Sequence, residues 1–288
     1  MPSPSPLIPR RRLGVELRRL REAAELNLEA PAEFLECSPS KISRLETGHG
    51  VPKPRDVRAL LDLYRVDDQR VRDRLVRLAG EGRRQAWWRD MAEVVSANMD
   101  AFIALEAEAS DIRLYASTAI PGLLQTPDYA NALIRAVYPD DTTDDRAKRV
   151  LLRSGRQRIY EERTDEPRTR VVLHEAALRV LVGSTAVMAD QLLALLSPRP
   201  GVDVRVYPFA AGPDIAIQCA YAVFTFDSEI DRNAVHIELS AGDRWLEHER
   251  DVRRYSAVFD RLATRCLCRD DAHRLIRSVV AEHARGPG

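Results

Sequence analysis

The chain has 288 residues, and its 44 Lys and Arg balance its 44 Asp and Glu, so its formal net charge is zero. Hydrophobic residues make up 45% of the chain, which is ordinary for a globular protein and excludes a disordered chain, a collagen or a coiled-coil fibre. At about 150 residues per domain, this length predicts two domains. The charge is uneven, because residues 1–85 hold 18 Lys and Arg against 13 Asp and Glu, and the remainder holds 26 against 31. A basic head on an acidic body indicates that the head meets an anionic polymer.

The sequence contains no stretch near the ~18 consecutive apolar residues of a membrane span, and no apolar run of signal-peptide length precedes its first basic cluster. The four cysteines have neither the spacing of a disulfide framework nor that of a zinc site. We therefore expect reduced thiols in a cytoplasmic protein with no membrane partner and no cofactor.

Residues 1–9 are rich in proline, which predicts a disordered arm before Arg10, Arg11 and Arg12. Residues 10–80 predict five short helices. Leu13, Leu17 and Leu20 mark the first by their spacing, Asn27 caps a second over 28–35, and Ser38 with Pro39 starts a third that runs to Thr47 and stops at Gly48. The fourth covers about 55–64, and the fifth opens at Asp67 and Asp68. Residues 81–86 are predicted to be a linker.

Residues 87–288 predict a mixed α+β domain, because helical periodicity alternates with short β-rich runs. Helices are expected near 91–109, 127–137, 144–163, 186–197, 249–264 and 270–284. Strands are clearest at 170–173, 202–207, 221–226 and 234–239, and their order is left open. The predicted fold is thus a mainly α N-terminal domain followed by an α+β C-terminal domain.

Residues 28–48 carry the most informative pattern, a helix, a three-residue turn and a second helix. A helix-turn-helix of this kind places its second helix in the major groove of DNA. Because Ile42 and Leu45 face the core, the polar residues between them are exposed and suited to reading base edges. We predict recognition-helix contacts from Ser38, Pro39, Ser40, Lys41, Ser43 and Arg44, and backbone contacts from Arg10, Arg11, Arg12, Lys53, Arg55 and Arg58. By pattern alone, an ordinary surface helix with a polar face is the alternative.

Leu13–Arg21, Ser38–Gly48 and Arg55–Leu61 resemble the Xre or lambda-repressor-like helix-turn-helix family in its actinobacterial form. The remainder resembles the C-terminal domain of unknown function found in many such regulators, most clearly at Pro121–Thr126. The resemblance implies an antitoxin-like transcriptional regulator, often encoded beside a small partner protein.

The chain departs from the family pattern in the second helix and in the turn that follows it. The turn usually carries glycine, and Glu36 in its place takes the left-handed conformation only at a cost. Pro31 falls where an apolar helix residue is expected, and it loses the first intrahelical hydrogen bond unless the helix starts late. Both changes predict a less stable domain.

Two features of the second domain are candidate partner or effector contacts. Leu123, Leu124, Gln125 and Thr126 form an apolar helix entry, for which packing is favoured over contact with a partner. Trp87 and Trp88 lie where head meets body, and interdomain packing is favoured over an exposed surface. The pairs His174–Glu175 and His236–Glu238 have no third ligand or base, so we expect no metal site and no enzyme.

The leading hypothesis is a sequence-specific regulator of double-stranded DNA whose second domain dimerises, or binds a small partner protein or an effector. The alternative is a partner-sequestering or ligand-sensing module in which DNA binding is only autoregulatory. The apolar stripe of 249–264 is the predicted surface for a homodimer or a partner (Val252, Tyr255, Val258, Phe259 and Leu262).

Overall fold

The computed structural model describes residues 7–82, 88, 91, 93–162, 168–213, 219–227, 233–239 and 242–285. The chain divides into two compact units. The first comprises Met1–Asp90, Met99–Glu108 and Ser228–Asp231, and the second comprises Met91–Asn98, Ala109–Asp227 and Arg232–Gly288. Residues 99–108, which were predicted to belong to the second domain, thus cluster with the N-terminal helices.

The first unit begins with the five predicted helices, which are confirmed: α1 Leu7–Ala23, α2 Glu29–Phe34, α3 Pro39–Glu46, α4 Pro54–Leu63 and α5 Gln69–Glu81. A sixth, α6 Ala97–Glu108, lies mostly in the same unit. The core of the first unit includes Leu13 and Leu17 of α1 with Val57, Leu61 and Leu75. Because α1 begins at Leu7, the predicted arm is wrong for residues 7–9, and its residues 1–6 lie outside the described residues.

Side-chain caps start the helices around the turn, as the sequence predicts. Asn27 Oδ1 accepts from the Ala30 N–H at 3.1 Å, and Ser38 Oγ accepts from the Lys41 N–H at 3.3 Å. The α-helical residues of α2 begin only at Glu29. Pro31 therefore lies in the first turn, where no residue has an intrahelical partner for its N–H, and the expected loss of a hydrogen bond does not occur.

Three helix ends of the first unit close through left-handed residues that are not glycine. They are Glu25, Glu36 and Arg65, with φ of 57°, 51° and 55°. After α2, for example, the Cys37 N–H donates to the Ala32 carbonyl at 2.8 Å, which is the six-to-one bond of a Schellman motif. The left-handed conformation predicted for Glu36 is therefore confirmed, and its cost recurs at two further turns.

A close approach of two helices fixes the position of α3 on α1. A Cβ added to Gly14 would lie 2.5 Å from the Glu46 carbonyl oxygen and 2.6 Å from that of Leu45. Only glycine fits between the two backbones at this point.

The second unit is built on a six-stranded mixed sheet in the order β3-β2-β1-β4-β5-β6. The strands are β1 Asp111–Ala116, β2 Arg168–His174, β3 Val202–Tyr207, β4 Tyr221–Thr225, β5 Ala234–Ile237 and β6 Arg244–Leu246. β1, β2 and β3 run parallel, and the other neighbouring pairs are antiparallel. The four predicted strands are confirmed, and β1 and β6 were not predicted.

The remaining helices of the second unit are α7 Pro127–Val137, α8 Thr143–Glu162, α9 Ala176–Arg179, α10 Thr185–Ala194, α11 Glu249–Thr264 and α12 Arg269–Arg285. α11 lies across the sheet, with Val252, Phe259 and Leu262 buried against the strands and Tyr255 and Val258 partly buried beside them. The prediction that this stripe forms an association surface is wrong, because the stripe is part of the unit's own core.

Candidate nucleic-acid interface

The outer face of α3 carries the polar residues predicted to read DNA. Pro39 is its first helical residue, and Ile42 and Leu45 are buried below it. Ser38, Pro39, Ser40 and Arg44 are exposed, and Ser43 is half-buried. The first turns of α3 therefore present hydroxyls and a guanidinium, groups that bond base edges and phosphates.

The inner end of α3 is held by a buried charge. Glu46 is 8% exposed and pairs with Arg21 of α1, which is also 8% exposed. The hydrogen bond from Arg21 to Glu46 raises the pKa of the Arg21 guanidinium, so this guanidinium stays charged at neutral pH. The Tyr64 hydroxyl lies near this pair, and burial raises its pKa, so it stays neutral.

Lys41, predicted to read bases, is engaged inside the unit. Its Nζ lies 3.2 Å from Asp56 Oδ2 on α4, and its side chain is 36% exposed. Asp56 also pairs with Arg55, whose side chain is 80% exposed. Lys41 therefore links α3 to α4, and Arg44 is the exposed cation on the reading face.

The start of α4 supplies exposed cations next to this face. Lys53 occupies the cap position without a side-chain cap bond, and Pro54 follows as the first helical residue. Lys53, Arg55 and Arg58 are all exposed. Unsatisfied N–H groups and cations at a helix N-terminus favour phosphate, which suits the predicted backbone contacts.

The arginines at 10–12 lie on α1 and not on an extended arm. Arg10 Nε donates to the Gly82 carbonyl at 2.6 Å, and burial lowers the pKa of Arg10. A Cβ on Gly48 would come within 2.8 Å of Arg11 Cγ, so Arg11 packs on the end of α3. Arg12 is half-buried. The phosphate contact predicted for Arg10 stays a prediction, and the bond from its Nε to the end of α5 disfavours it.

Gln125, a predicted partner contact, is turned inward. It is 5% exposed, its Nε2 donates to the Ile120 carbonyl at 2.6 Å, and its Oε1 accepts from Arg153. Leu123 is 3% exposed in the short 3-10 turn Gly122–Leu124. The prediction that Leu123 and Gln125 contact a partner is therefore wrong. Both side chains are packed inside the second unit, as the favoured interpretation expected.

Two further glutamines hold the same segment. Gln191 donates to the Leu124 carbonyl at 2.8 Å and accepts from the Thr126 N–H at 2.7 Å. Gln157 Nε2 donates to the carbonyls of Gly122 at 2.7 Å and Gln125 at 2.9 Å. Neither residue could be predicted from the sequence, because a helical pattern does not show that one of its glutamines contacts a distant turn.

The tryptophan pair is resolved in part. Trp87 lies outside the described residues. Trp88 is 4% exposed, and its Nε1–H donates to Asp100 Oδ1 at 2.6 Å within the first unit. The alternative prediction that Trp88 is exposed for contact with a partner is therefore wrong.

Local structure accounts for the histidines that stand beside acids. His174 Nδ1 accepts from the Ala176 N–H at 3.2 Å, and burial lowers the pKa of His174. His236 lies 3.1 Å from Asp243 across the β5–β6 hairpin. Among the described residues, the one acidic group close enough to share a cation is Glu93, Asp144 and Asp145. Lys148 already pairs with two of its three members.

The helical unit, with its capped and exposed α3, belongs to the helix-turn-helix class, and residues 12–75 match the family described as Helix-turn-helix domain. Residues 99–278 match the family described as Domain of unknown function (DUF5753). That match spans more than half of the chain, which therefore belongs to the DUF5753 family. No curated protein and no solved structure matches the chain.

The resemblance to a helix-turn-helix regulator with a C-terminal domain of unknown function is confirmed, and the helix-turn-helix domain indicates a DNA-binding regulator. Among the described residues, no helix has both the length and the apolar character needed to cross a membrane.

Proposed function

We propose that the chain is a sequence-specific transcriptional regulator of the Xre type and not an enzyme. In this proposal α3 reads operator DNA in the major groove, and the start of α4 holds the DNA backbone. The main observation that supports DNA reading by α3 is that this helix has one exposed and one buried face. Ser40 and Arg44 are exposed, whereas Ile42 and Leu45 are buried and tie the helix to the unit. A rigidly held helix with a free hydroxyl and guanidinium is what base readout requires.

We further propose that the second unit dimerises, or binds a small partner protein or an effector, as in antitoxin-like regulators. One recognition helix reads only a few base pairs, and a dimer places two of them about 34 Å apart in successive major grooves. Because the apolar stripe of α11 is buried in the core, the association uses another surface of the second unit. In the alternative, partner binding is the main activity and DNA binding is autoregulatory. A groove of about 680 Å³ in the second unit favours that reading.

The experiment begins with genome-wide mapping of the bound sites, which supplies the operator. Fluorescence anisotropy then compares the intact protein with Arg44→Ala on the operator and on a scrambled duplex. Arg44→Ala should cost about 1–3 kcal/mol on the operator and much less on the scrambled duplex, since a bidentate base contact is lost. Lys53→Ala is the matched control and should weaken both duplexes alike. Equal losses on both duplexes for Arg44→Ala would show that α3 does not read sequence.

A further inference from the structure

The outer edge of β3 is an incompletely covered strand edge. β3 is the end strand of the sheet, and β2 pairs with its inner side. On the outer side, the Leu267 N–H donates to the Val206 carbonyl at 2.9 Å and covers the C-terminal end of the strand. A strand edge with unpaired backbone groups is a template on which another extended chain can pair.

The hydrogen bonds of the neighbouring residues show which backbone groups of β3 face outward. The carbonyls of Gly201 and Tyr207 accept from β2 and from the residue that follows it, at 3.1 and 2.9 Å. Since backbone groups alternate in direction along a strand, the even-numbered residues turn theirs to the outer side. The N–H and carbonyl of Val204 thus point outward, and no hydrogen bond to them occurs among the described residues.

This edge forms the floor of the groove of about 680 Å³. One wall is formed by the end of α10 and by α12, and the other by the end of α11 and the loop after it. The wall residues are Leu195, Ala272, Ile276, Ala263 and Cys266. Such a volume lies in the range of ligand-binding clefts and suits a short extended segment.

The helix ends on either side of the groove limit which kind of chain can pair with the edge of β3. In a second copy of this protein the same helix ends would flank β3. The helix ends of the two copies would then keep the two β3 strands too far apart to pair with each other. A single extended segment has no such flanks and fits a slot lined by one strand and two helix ends. Peptides bind in this way when they add a strand to a sheet edge.

The charges of the groove favour an acidic segment. Asp203 and Arg205 line it and pair with each other, with Arg205 Nε 2.8 Å from Asp203 Oδ2. Arg269 also lines it, is exposed, and makes no ion pair with a described residue. His273 follows one turn later on the same wall. Among the lysine, arginine and acidic side chains that line the groove, the cations therefore outnumber the carboxylates by one, beside the N-terminal end of α12.

We propose that this groove binds an extended, acidic peptide segment of a partner protein, which adds a strand outside β3. The segment pairs with the N–H and carbonyl of Val204, places alternate apolar side chains toward Ala272 and Ile276, and sets a carboxylate against Arg269. The inference rests on the partner-binding part of the proposed function and not on its DNA-binding part.

The test uses the intact protein and a displayed library of random linear peptides, followed by a fluorescein-labelled copy of the most enriched peptide. The key variant is Val204→Pro, which removes an outward N–H and no bond of the β2–β3 ladder, as an edge strand tolerates. We expect Val204→Pro to weaken peptide binding by about tenfold or more, and Val204→Ala, the matched control, to keep most of it. Arg269→Glu should shift the enriched peptides from acidic to basic. Operator affinity should stay unchanged in all three variants, so a failure here is distinguishable from a failure of the DNA-binding proposal.

Each other outcome counts against the proposal. An unenriched library, or equal binding to Val204→Pro and to the unchanged protein, would show that the edge takes no peptide. If circular dichroism shows that Val204→Pro does not fold, amide exchange of Val204 in the unchanged protein decides, because a bound strand must slow it and an unchanged rate overturns the proposal. A dimer of the intact protein that Val204→Pro dissociates would assign the edge to a second copy instead.

Discussion

Arg21 of α1 and Glu46 of α3 form a buried, two-point ion pair. Arg21 Nε lies 2.7 Å from Glu46 Oε1, and Arg21 Nη2 lies 2.9 Å from Oε2. The remaining nitrogen, Nη1, donates to the Leu26 carbonyl at 2.7 Å, just beyond the end of α1. One guanidinium thus joins the C-terminal end of α1 to the C-terminal end of the candidate recognition helix. The fork geometry is specific to arginine, so lysine would not replace it.

The first prediction is that Glu46→Ala destabilises the first unit by about 3–5 kcal/mol, because it leaves a buried cation without its partner. Urea unfolding of the intact protein, followed by circular dichroism, measures the change. The control is Arg18→Ala, which removes an ion pair with Glu22 on the same helix. Both side chains of that pair are more than half exposed, so the loss should stay below about 1 kcal/mol. Similar losses for the two variants would mean that burial of the Arg21–Glu46 pair has no energetic effect.

The second prediction concerns the left-handed residue after α2. Glu36→Gly should stabilise the protein by about 0.5–1 kcal/mol, since relief of the Cβ strain exceeds the added entropy of the unfolded chain. Thermal unfolding checks the sign. Glu33→Gly, inside α2, is the control and should destabilise by about 1 kcal/mol. A lower melting temperature for Glu36→Gly would show that the strain at φ 51° is smaller than the entropy term.

Several helix boundaries could be predicted because single residues determine them. Asn27 and Ser38 make the capping hydrogen bonds expected at the starts of α2 and α3, and Gly48 takes φ 78° after the end of α3. β1 was missed although its first four residues alternate between charged and apolar side chains, because this alternation is short and ends at Leu114. β6 has only three residues, too few for a periodic signal.

The partners of side chains could not be predicted, because distant segments supply them. The apolar stripe of α11 shows that the helix has a covered face, and it does not say whether the cover is the sheet or a second chain. Arg10 has the same charge as Lys53, and only the approach of Gly82 separates their roles. Lys41 resembles a base-reading residue until Asp56 of α4 lies beside it.

The third prediction uses salt to separate those roles. If a dimer makes about six to ten phosphate contacts, operator affinity should fall about 10³–10⁵-fold between about 50 and about 200 mM salt. Lys53→Ala and Arg58→Ala should each lower the slope of log affinity against log salt by about one per protomer. Arg10→Ala, the control, should leave the slope unchanged, because its guanidinium bonds the Gly82 carbonyl. A binding constant that is flat with salt would exclude the proposed backbone contacts.

The fourth prediction concerns the extent of the N-terminal unit. Residues 99–108 cluster with this unit, and Trp88 donates to Asp100 at 2.6 Å. A fragment of residues 1–85 lacks both features, whereas a fragment of residues 1–110 keeps them. We therefore expect 1–110 to unfold cooperatively and at a higher temperature than 1–85. In the intact protein, Asp100→Ala should cost about 1–3 kcal/mol, since it removes an acceptor of the Trp88 indole N–H. Equal melting temperatures for the two fragments would show that α6 adds no stability to the helix-turn-helix.

The same fragments test why the second unit is present. If it supplies the dimer contact, both fragments should be monomers in light scattering and should bind the operator far more weakly than the intact protein. The intact protein should then protect two half-sites about one helical turn apart, because two joined recognition helices enter successive major grooves. A monomeric fragment 1–110 that matches the intact protein in affinity would remove dimerisation as the role of the second unit. Its remaining role would be to sense an effector or to bind a partner, and for a partner the edge of β3 offers the outward N–H and carbonyl of Val204.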